Sequence, residues 1–427
     1  MADIAWIDVA LTSARPKAVA ALLRYFRNLD TAEEAFQEAC LSALKTWPDK
    51  GPPRDPAAWL IFVGRNSGID AMRRRGKQET LPPEEAFADP DDVEVSLAER
   101  IDRERYRDDI LRLLFICCHP DLPATQQIAL ALRVVSGLSV KQIARSFLVS
   151  EAAMEQRITR AKKRIAAAQV PFATPGDEER AERLAAVAAM IYLIFNEGYS
   201  AADDTAPARA VLCEEAIRLA RLLQELFPSD PEIMGLTALL LLQHARRAAR
   251  FDATGAIVLL EDQNRSLWDA VAIAEGLALL DQAMLQRSTG PYQVQGAIAA
   301  LHARAIRAEE TDWAGIDQLY ATLEQMHPSP VITLNRSVAV SKVRGAETAL
   351  AMIEPLASDL SGYFYFHGLR GAFLTQLRRL DEARSAFATA IARANTAAEA
   401  SHIRMHLDRL TSDKYGQRRD VKIVSDF

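Results

Sequence analysis

The clearest pattern of apolar and polar positions along the chain lies in residues 139–165. Apolar residues recur there at intervals of three or four, as on one face of an α-helix. Ser139, followed by Gln142, and then Ser150 stand where side chains commonly cap the first turn of a helix. The pattern predicts two short helices joined by a tight turn, with the following positions facing inward: Ile143, Ala144, Phe147, Met154, Ile158, Ala161 and Ile165.

The remainder of the chain carries the same helical period, interrupted at proline, glycine and aspartate. Near the N-terminus the pattern predicts a helix over Pro16–Asn28 and a second helix that opens at Thr31, with Glu34 completing its cap and Leu44 facing inward. A third helix is expected to begin at Asp55-Pro56. Glycine and proline number only 18 and 19 in 427 residues, and no strand-type alternation occurs, so the predicted fold class is all-α.

Charge is concentrated in three segments of a chain whose net charge is -6. Residues 131–165 hold eight Lys or Arg against two Glu, and residues 61–78 hold five against one Asp. Between them, residues 79–104 hold ten acids against two Arg, which is typical of an extended linker. The basic segments favour nucleic-acid binding, although a solvated basic face accounts for the same pattern. The net negative charge indicates that unaided DNA binding is weak.

Cysteine usage narrows the class of protein. Cys40, Cys117, Cys118 and Cys213 show no CxxC spacing, so neither a disulfide framework nor a four-ligand zinc site is expected. Cys117, Cys118 and His119 invite a metal site, but consecutive helical residues point about 100° apart and rarely converge on one ion. Packing of the two thiols as small apolar groups is therefore favoured. We expect no metal and no cofactor.

The N-terminal residues lack the basic start and the long apolar run of a signal peptide. No apolar stretch elsewhere reaches the length that spans a membrane. We therefore expect a cytoplasmic protein with no membrane contact.

Past residue 177 the sequence changes to Ala/Leu-rich helices without a basic concentration. VRGAETALAMI and LRRLDEARSAFATAI align at a period of roughly 34 residues, which places Ala349 on Ala383. Small residues at such positions allow helices to pair closely. The repeat resembles tetratricopeptide-type helical hairpins.

Two segments of this region are candidates for a role beyond supporting the fold. FNEGYS, residues 195–200, ends an apolar helix, and LLEDQNRSLWD, residues 259–269, is predicted to be helical. Glu261 and Arg265 lie four residues apart in the second segment, so an ion pair is the simplest interpretation. A docking surface and a catalytic carboxylate pair are the alternatives. No nucleophile–base arrangement, phosphate loop or HExxH motif favours an enzyme.

Three segments in order resemble a bacterial RNA polymerase sigma factor of the extracytoplasmic-function type. The segment that resembles the core-polymerase-binding part of sigma domain 2 is DTAEEAFQEACLSALKTWP, and the minus-10 segment is WLIFVGRNSGIDAMRRRGK. A third segment resembles the helix-turn-helix of sigma domain 4, which reads the minus-35 element: LSVKQIARSFLVSEAAMEQRITRAKKRI. The whole chain is similar to the group of these factors that carries a C-terminal tetratricopeptide-like extension. Gly64 and Gly68 depart from the usual minus-10 helix, where alanine or larger residues are commoner.

The resemblance implies a role for each matching position. It assigns core-polymerase binding to Glu33, Glu34, Gln37, Glu38 and Leu41. Of these, Glu33, Gln37 and Glu38 are expected on the outer face of their helix. It assigns minus-10 DNA to Trp59, Arg65, Asn66, Asp70, Arg73, Arg74 and Arg75. It assigns minus-35 DNA to Lys141, Ser150, Glu151, Ala152, Ala153, Arg157, Arg160, Lys163 and Arg164.

The domain organisation that follows is sigma domain 2 over residues 1–78, an acidic linker over 79–106, sigma domain 4 over 107–170 and a helical extension over 178–427. The expected function is promoter recognition and transcription initiation, with core RNA polymerase and double-stranded and melted promoter DNA as partners. The extension is expected to be a regulatory domain that takes a protein or small-molecule regulator. The alternatives are a stand-alone helix-turn-helix regulator and an interaction scaffold built on the repeats.

Overall fold

The computed structural model describes residues 5–74, 103–147, 149–167, 177–199, 206–253, 255–286, 288–394 and 396–412. These residues form helices joined by turns. Among them, β-type pairing is confined to one isolated bridge between Phe251 and Ile257. The all-α prediction is confirmed. The chain divides into two compact units, unit 1 over Met1–Ile194 and unit 2 over Phe195–Phe427. No helix in the described ranges is long and apolar enough to cross a membrane.

Unit 1 contains the helices of both sequence-predicted sigma domains. Their bounds are α1 Ala5–Phe26, α2 Leu29–Lys50, α3 Pro56–Arg74, α4 Arg103–Cys117, α5 Ala124–Val134, α6 Val140–Ser146, α7 Glu151–Ala167 and α8 Asp177–Tyr199. The last five residues of α8 belong to unit 2. The helical extension predicted to begin at residue 178 therefore starts within a helix that is largely part of unit 1.

The first three helices pack as a bundle. The first residues of α1 and α2 differ from the prediction, whereas α3 begins where it was expected. The helix that was predicted to begin at Pro16 begins at Ala5, and Pro16 lies inside it. Asn28, not Thr31, caps α2, since its side chain accepts the Thr31 backbone N–H at 2.9 Å. Asp55 caps α3 as predicted, accepting the backbone N–H groups of the second and third helical residues.

Gly64 and Gly68 allow α3 to approach its neighbours closely. A Cβ at Gly64 would lie 3.0 Å from the Ala35 carbonyl oxygen and 3.0 Å from Leu22, and one at Gly68 would lie 2.3 Å from the Phe26 ring. Both glycines are buried. The two residues that weaken the helix in isolation are therefore the ones that let α3 pack against α1 and α2.

Helix α4 is buried over most of its circumference from Asp109 onward. A helix that is apolar on every side needs neighbours on every side. Helix α1 and helix α5 contact it, and α8 contributes Met190, whose Sδ lies 3.3 Å from the Cys118 Sγ, and Arg183, which lies over the Phe115 ring. The predicted packing of Cys117 and Cys118 as apolar groups is confirmed, and α4 ends just before His119 as expected.

Unit 2 consists of successive helices that pack mainly against their sequence neighbours. Their bounds are α9 Ala206–Leu226, α10 Pro231–His244, α11 Ala270–Met284, α12 Pro291–Arg304, α13 Trp313–Met326, α14 Pro330–Arg344, α15 Ala346–Ile353, α16 Phe364–Gln376, α17 Leu380–Arg393 and α18 Ala397–Ser412. Helix α10 also packs against α12. Ala349 and Ala383, aligned by the sequence repeat, are both fully buried near the starts of α15 and α17. They pack in one apolar cluster.

Residues 259–269 do not form the predicted α-helix. They form turns and a 3₁₀ segment over Arg265–Leu267, in which Asn264 accepts the Ser266 backbone N–H and Asp269 caps α11. Such local side-chain hydrogen bonds compete with a continuing helix. The predicted Glu261–Arg265 ion pair is wrong as well. Glu261 pairs with Lys342 at 2.6 Å, while the Arg265 guanidinium donates to the carbonyl oxygens of α12 and the turn that follows it.

Candidate nucleic-acid interface

Helices α6 and α7 form the predicted helix-turn-helix, and both caps are present. Gln142 N–H donates to Ser139 Oγ at 3.2 Å, and the Ser139 N–H donates back to the Gln142 side chain at 2.8 Å. Ser150 Oγ accepts the Ala153 N–H at 3.2 Å. The caps satisfy backbone N–H groups that a helix start leaves without partners. Leu148 in the turn lies outside the described residues.

Helix α7 is amphipathic in the predicted sense. Met154, Ile158 and Ala161 are buried, and Ile165 is half-buried. Most of the predicted minus-35 residues lie on the other side of α7, where Arg157 is half-buried and the rest are exposed: Glu151, Ala152, Ala153, Arg160, Lys163 and Arg164. Lys141 is exposed on α6, and Ser150 is exposed just before α7. Small side chains at the start of the helix and cations further along match what a helix in the major groove presents to bases and phosphates.

The predicted minus-10 residues lie along α3. Asn66, Asp70, Arg73 and Arg74 are exposed, Trp59 and Arg65 are half-buried, and Arg75 lies outside the described residues. The Arg65 guanidinium lies 4.7 Å from the centroid of the Tyr25 ring. Trp59 packs edge-on against the buried Trp47, with centroids 5.3 Å apart. Both half-buried side chains are thus held by aromatic contacts to α1 and α2.

Helix α2 presents an exposed stripe that contains four of the five predicted polymerase-binding residues. Glu34, Gln37, Glu38 and Leu41 recur at helical spacing, and Leu41 is 51% exposed. Leu44 extends the same face with equal exposure, so its predicted placement on the inward face is wrong. An apolar pair within an acidic stripe suits a protein partner better than solvent alone.

Glu33, predicted to lie on that outer face, is instead 4% exposed. Lys162 of α7 places Nζ 2.5 Å from Glu33 Oε2 and 2.7 Å from Asp30 Oδ1, and Arg15 of α1 lies 3.5 Å from Glu33 Oε1. Burial alone would lower the pKa of Lys162, but the Glu33 and Asp30 carboxylates outweigh it, and the net pKa is raised. The placement of Glu33 on the outer face is therefore wrong, because two cations cover it.

Arg15 connects α1 to the end of α5. Its Nε donates to the Val134 carbonyl at 2.9 Å and a terminal nitrogen donates to the Arg133 carbonyl at 3.1 Å, so the guanidinium satisfies carbonyl groups that a helix end leaves free. Gly137, with φ +76°, follows this helix end, and a Cβ there would lie 2.7 Å from the Arg15 side chain. Nothing in the local sequence indicates the contact of Arg15 with Val134 or that of Lys162 with Asp30, because these partners lie more than a hundred residues away.

A groove of about 500 Å³ lies where the ends of α1 and α3 meet the start of α2. Its lining includes Glu34 and Glu38 from the predicted polymerase face and Asp70 and Arg74 from the predicted minus-10 face. The two sets that the sequence assigned to different partners therefore border one groove.

The four cysteines are free thiols, three of them buried. Burial raises the pKa of Cys40 to about 11 and holds the pKa values of Cys117 and Cys118 well above the usual range, so the thiolate form that binds metals is disfavoured. Within the described ranges no cluster of three or more His, Cys, Asp or Glu is arranged to hold a metal ion.

Comparisons with known proteins match this arrangement segment by segment. Residues 11–78 match the family described as Sigma-70 region 2, and residues 112–165 match Sigma-70, region 4. Residues 183–284 match a family of unknown function, DUF6596. An uncharacterized protein, R00370, of Rhizobium meliloti (strain 1021) is 68% identical over 413 residues, which cover 97% of this chain and 98% of that protein. No solved structure matches the chain.

The region 2 match covers α1–α3, with their exposed acidic stripe and basic helix end, and the region 4 match covers α6 and α7 with both caps. The region 2 match precedes the region 4 match, in the order of the segments predicted from the sequence. A C-terminal helical region follows them. The chain belongs to the sigma-70 family, as a sigma factor of the extracytoplasmic-function type with a C-terminal helical extension.

Proposed function

We propose that the chain binds core RNA polymerase through the exposed stripe of α2 and directs it to promoters through α3 at the minus-10 element and α7 at the minus-35 element. The observation that carries this proposal is the exposed cationic side of α7, opposite a buried apolar side, in a region 4 match. Cations on one helix side attract phosphates, while the short residues at its start can approach base edges. RNA synthesis is the chemistry of the polymerase, so the proposed role includes no catalysis by this chain. Its place of action is the cytoplasm.

The polymerase-binding part rests on the stripe formed by Glu34, Gln37, Glu38 and Leu41. Acidic side chains around exposed leucines suit a cationic partner surface, because charge complementarity orients the partner and apolar burial stabilises the complex. We expect Leu41→Asp to weaken binding of core polymerase at least about tenfold. The matched control is Val9→Asp, which changes an exposed apolar residue of α1 in the same way. Equal affinity of the two variants would contradict the assignment of α2.

We further propose that the helical extension regulates promoter use by binding a protein. Large apolar side chains are exposed on it, among them Val271 at 77% and Leu285 at 82%, both at the ends of α11. Met284, 59% exposed, lies beside Leu285, and adjacent exposed apolar side chains support a protein-binding surface at this end of the helix. The full chain with Val271→Glu and Leu285→Glu is expected to change transcript yield from a fixed promoter in cells without changing protein level. Unchanged yield would contradict this part of the proposal.

The central experiment is in vitro transcription with the full chain, bacterial core polymerase and genomic promoter fragments. The test variant is Arg157→Ala with Arg160→Ala, and the control is Arg304→Ala with Arg307→Ala, which removes two arginines from unit 2. The control arginines sit in exposed pairs with Asp281 and Glu310, which contribute little to stability. We expect specific transcripts from the wild type and the control and none from the test variant.

The alternatives give different outcomes in the same experiment. A stand-alone regulator would bind promoter fragments tightly without polymerase and give no transcript. A scaffold built on the repeats would give neither a transcript nor DNA binding that depends on Arg157 and Arg160. Either result would overturn the proposed function.

A further inference from the structure

Two sequence segments of unit 2, FNEGYS and LLEDQNRSLWD, meet at the turn that follows α10. Tyr199, in the first segment, accepts a hydrogen bond from the Arg246 guanidinium through its hydroxyl oxygen at 2.7 Å. Asp269, which ends the second segment, donates its backbone N–H to the Ala245 carbonyl at 2.9 Å. Neither segment has a part in the proposed function, although the structure brings both to one place.

Three arginines converge where the segments meet. The Arg250 guanidinium lies 3.6 Å from the centroid of the Tyr199 ring and donates to the Tyr199 carbonyl. Arg246 donates to the hydroxyl of the same tyrosine. Arg265, in the second segment, donates to the His302 carbonyl at 2.6 Å. Tyr199 therefore contacts two of the three arginines directly.

Arg246 lies close enough to Arg265 and His302 to act on both electrostatically. Burial, and then the charge of Arg246, lower the pKa of Arg265, although Glu309 and Glu310 oppose the effect. Burial and the charges of Arg246 and Arg265 lower the pKa of His302 to about 3. Like charges that lower one another's pKa indicate a local excess of positive charge.

No carboxylate in the described part of the chain forms an ion pair with Arg250 or Arg265. Both side chains donate to backbone carbonyls at the ends of α8 and α12, as arginines that close a helix commonly do. A guanidinium has five N–H donors, so this role uses only part of each group. Three nearby buried nitrogens also lack a hydrogen-bond partner: Arg250 Nε, Trp268 Nε1 and His302 Nδ1. Closing a helix explains the carbonyl contacts but neither the excess charge nor these nitrogens.

The arginines are accessible, and the segments that carry them are fixed. Arg250 and Arg265 are half-buried, so part of each side chain faces solvent. The Arg250 carbonyl accepts from the Val258 N–H at 2.8 Å. Trp268, whose ring centroid lies 4.7 Å from the Arg265 guanidinium, packs in an apolar cluster with Ala249. A small ligand therefore meets groups that are already held in place, which reduces the entropy lost on binding.

We propose that Arg246, Arg250 and Arg265 form a binding site for a small molecule that carries a doubly charged oxyanion, either a phosphate group or a pair of carboxylates. Two guanidinium groups without a carboxylate partner are balanced by two negative charges. Their planar donors match the oxygens of phosphate and carboxylate groups in paired hydrogen bonds. A small molecule suits the site better than a protein surface, because Arg246 and Trp268 are only 8% and 7% exposed. The inference does not depend on the proposed function.

The indole N–H signals of the full chain, labelled with nitrogen-15 at tryptophan, test the site directly. The chain has five tryptophans, and Trp268→Phe identifies the Trp268 signal. Inorganic phosphate and succinate are titrated separately at constant ionic strength, and potassium chloride alone is the salt control. We expect a saturable shift of the Trp268 signal with at least one dianion and none with chloride, while the signal of Trp47 in unit 1 stays constant. Phosphate bound to the basic side of α7 would leave the Trp268 signal unchanged.

Charge-removing variants show whether the arginines form the site. Arg250→Gln and Arg265→Gln keep an amide that can donate to a carbonyl but lose the positive charge. The matched control is Arg247→Gln, because Arg247 forms an exposed pair with Glu214 at 3.1 Å. We expect each test variant to weaken anion binding at least about tenfold, and the control to weaken it less than about twofold. Arg250→Lys retains the charge and should bind the anion more tightly than Arg250→Gln, which separates loss of charge from loss of folding.

The outcomes are distinct. A site with no saturable Trp268 shift for either phosphate or succinate would overturn the proposal, and so would an equal shift with chloride alone. Equal affinity in the wild type and in both glutamine variants would also overturn it, since the arginines would then serve only to close helices. A response to phosphate alone would support a phosphate-bearing ligand, and a response to succinate alone would support a dicarboxylate.

Discussion

Unit 1 and unit 2 are both helical, but the contacts that define them differ in sequence range. In unit 1, Lys162 meets Asp30 across 132 positions and Arg15 meets Val134 across 119. In unit 2, successive helices pack against one another, and the half-buried Arg336–Asp317 pair joins neighbouring helices across 19 positions. Unit 1 therefore depends on a few polar residues that connect distant segments, whereas unit 2 depends on repeated close packing of neighbours.

The difference indicates where each unit is vulnerable. Loss of one connecting side chain in unit 1 affects helices from both sigma domains. Loss of close packing in unit 2 affects one helical pair and, through nearest-neighbour contacts, its flanks. The following experiments test that contrast, in order of decreasing expected effect.

The largest effect is expected from Arg15→Ala. It removes a buried guanidinium from Glu33 and from two helix-end carbonyl groups, and we expect the free energy of unfolding of unit 1 to fall by about 3–5 kcal/mol. Hydrogen exchange should show lost protection in α5 and α7 and none lost in α16. The control is Lys17→Ala, on an exposed position of the same helix. Loss of protection in α16 to the same extent would break the contrast between the units.

Gly235→Ala should be the strongest single change of packing in unit 2. A Cβ there would lie 2.6 Å from the Gln293 backbone nitrogen, so α10 and α12 must separate. We expect a loss of about 3 kcal/mol in the free energy of unfolding of unit 2, at the upper end for overpacked sites. Gly362→Ala, which meets nothing within 4 Å, is the control. Thermal unfolding followed by circular dichroism measures both, and equal melting temperatures would contradict close packing at Gly235.

Acid should weaken unit 2 through its buried histidines. Burial, with His402 and Arg409 nearby, lowers the pKa of His406 to about 4, and burial beside Arg246 and Arg265 lowers that of His302 to about 3. A histidine held neutral in the fold stabilises it fully above its unfolded pKa of about 6.5, and this contribution declines as the pH falls toward the folded pKa. Between pH 7 and pH 5 the expected loss is about 2 kcal/mol for His406, measured by urea unfolding. His406→Leu should flatten this dependence, and an unchanged slope would argue against His406 as its source.

The smallest effect is expected from Ser139→Ala at the start of α6. It removes one half of the capping box while leaving the long-range contacts of unit 1 untouched, so we expect a loss of about 1 kcal/mol. Thr159→Ala, on the exposed side of α7, is the control. Chemical denaturation of the two variants gives the difference, and a loss as large as that of Arg15→Ala would mean that local capping, not long-range contact, limits unit 1.

Local chemistry made much of the fold predictable. The caps at Ser139, Ser150 and Asp55 are where the sequence placed them, because a cap needs only residues within one helical turn. The inward face of α7 followed from its period in the same way. Thr31 failed as a cap because Asn28, three residues earlier, is an equally good capping residue and the sequence alone did not rank them.

Contacts over long sequence distances could not be predicted. Glu33 fits the exposed stripe by spacing, and only the arrival of Lys162 from a distant helix buries it. By helix propensity alone, Gly64 and Gly68 are unfavourable in α3. The Phe26 ring and the Ala35 carbonyl that require glycine at these positions belong to other helices, so the local sequence does not reveal them. The roles of the exposed residues in binding polymerase and DNA remain predictions.

The caps and the inward face of α7 also define what can be exchanged between sigma factors of this type. A graft that alters promoter choice would replace only outward positions of α7 and retain Met154, Ile158 and Ala161, which seat the helix. Replacing all of domain 4 would also replace α4 and the residues at its end, which pack against α1 and α8 of this chain. New specificities should therefore arise here by point substitution on one helix side more readily than by recombination of whole domains.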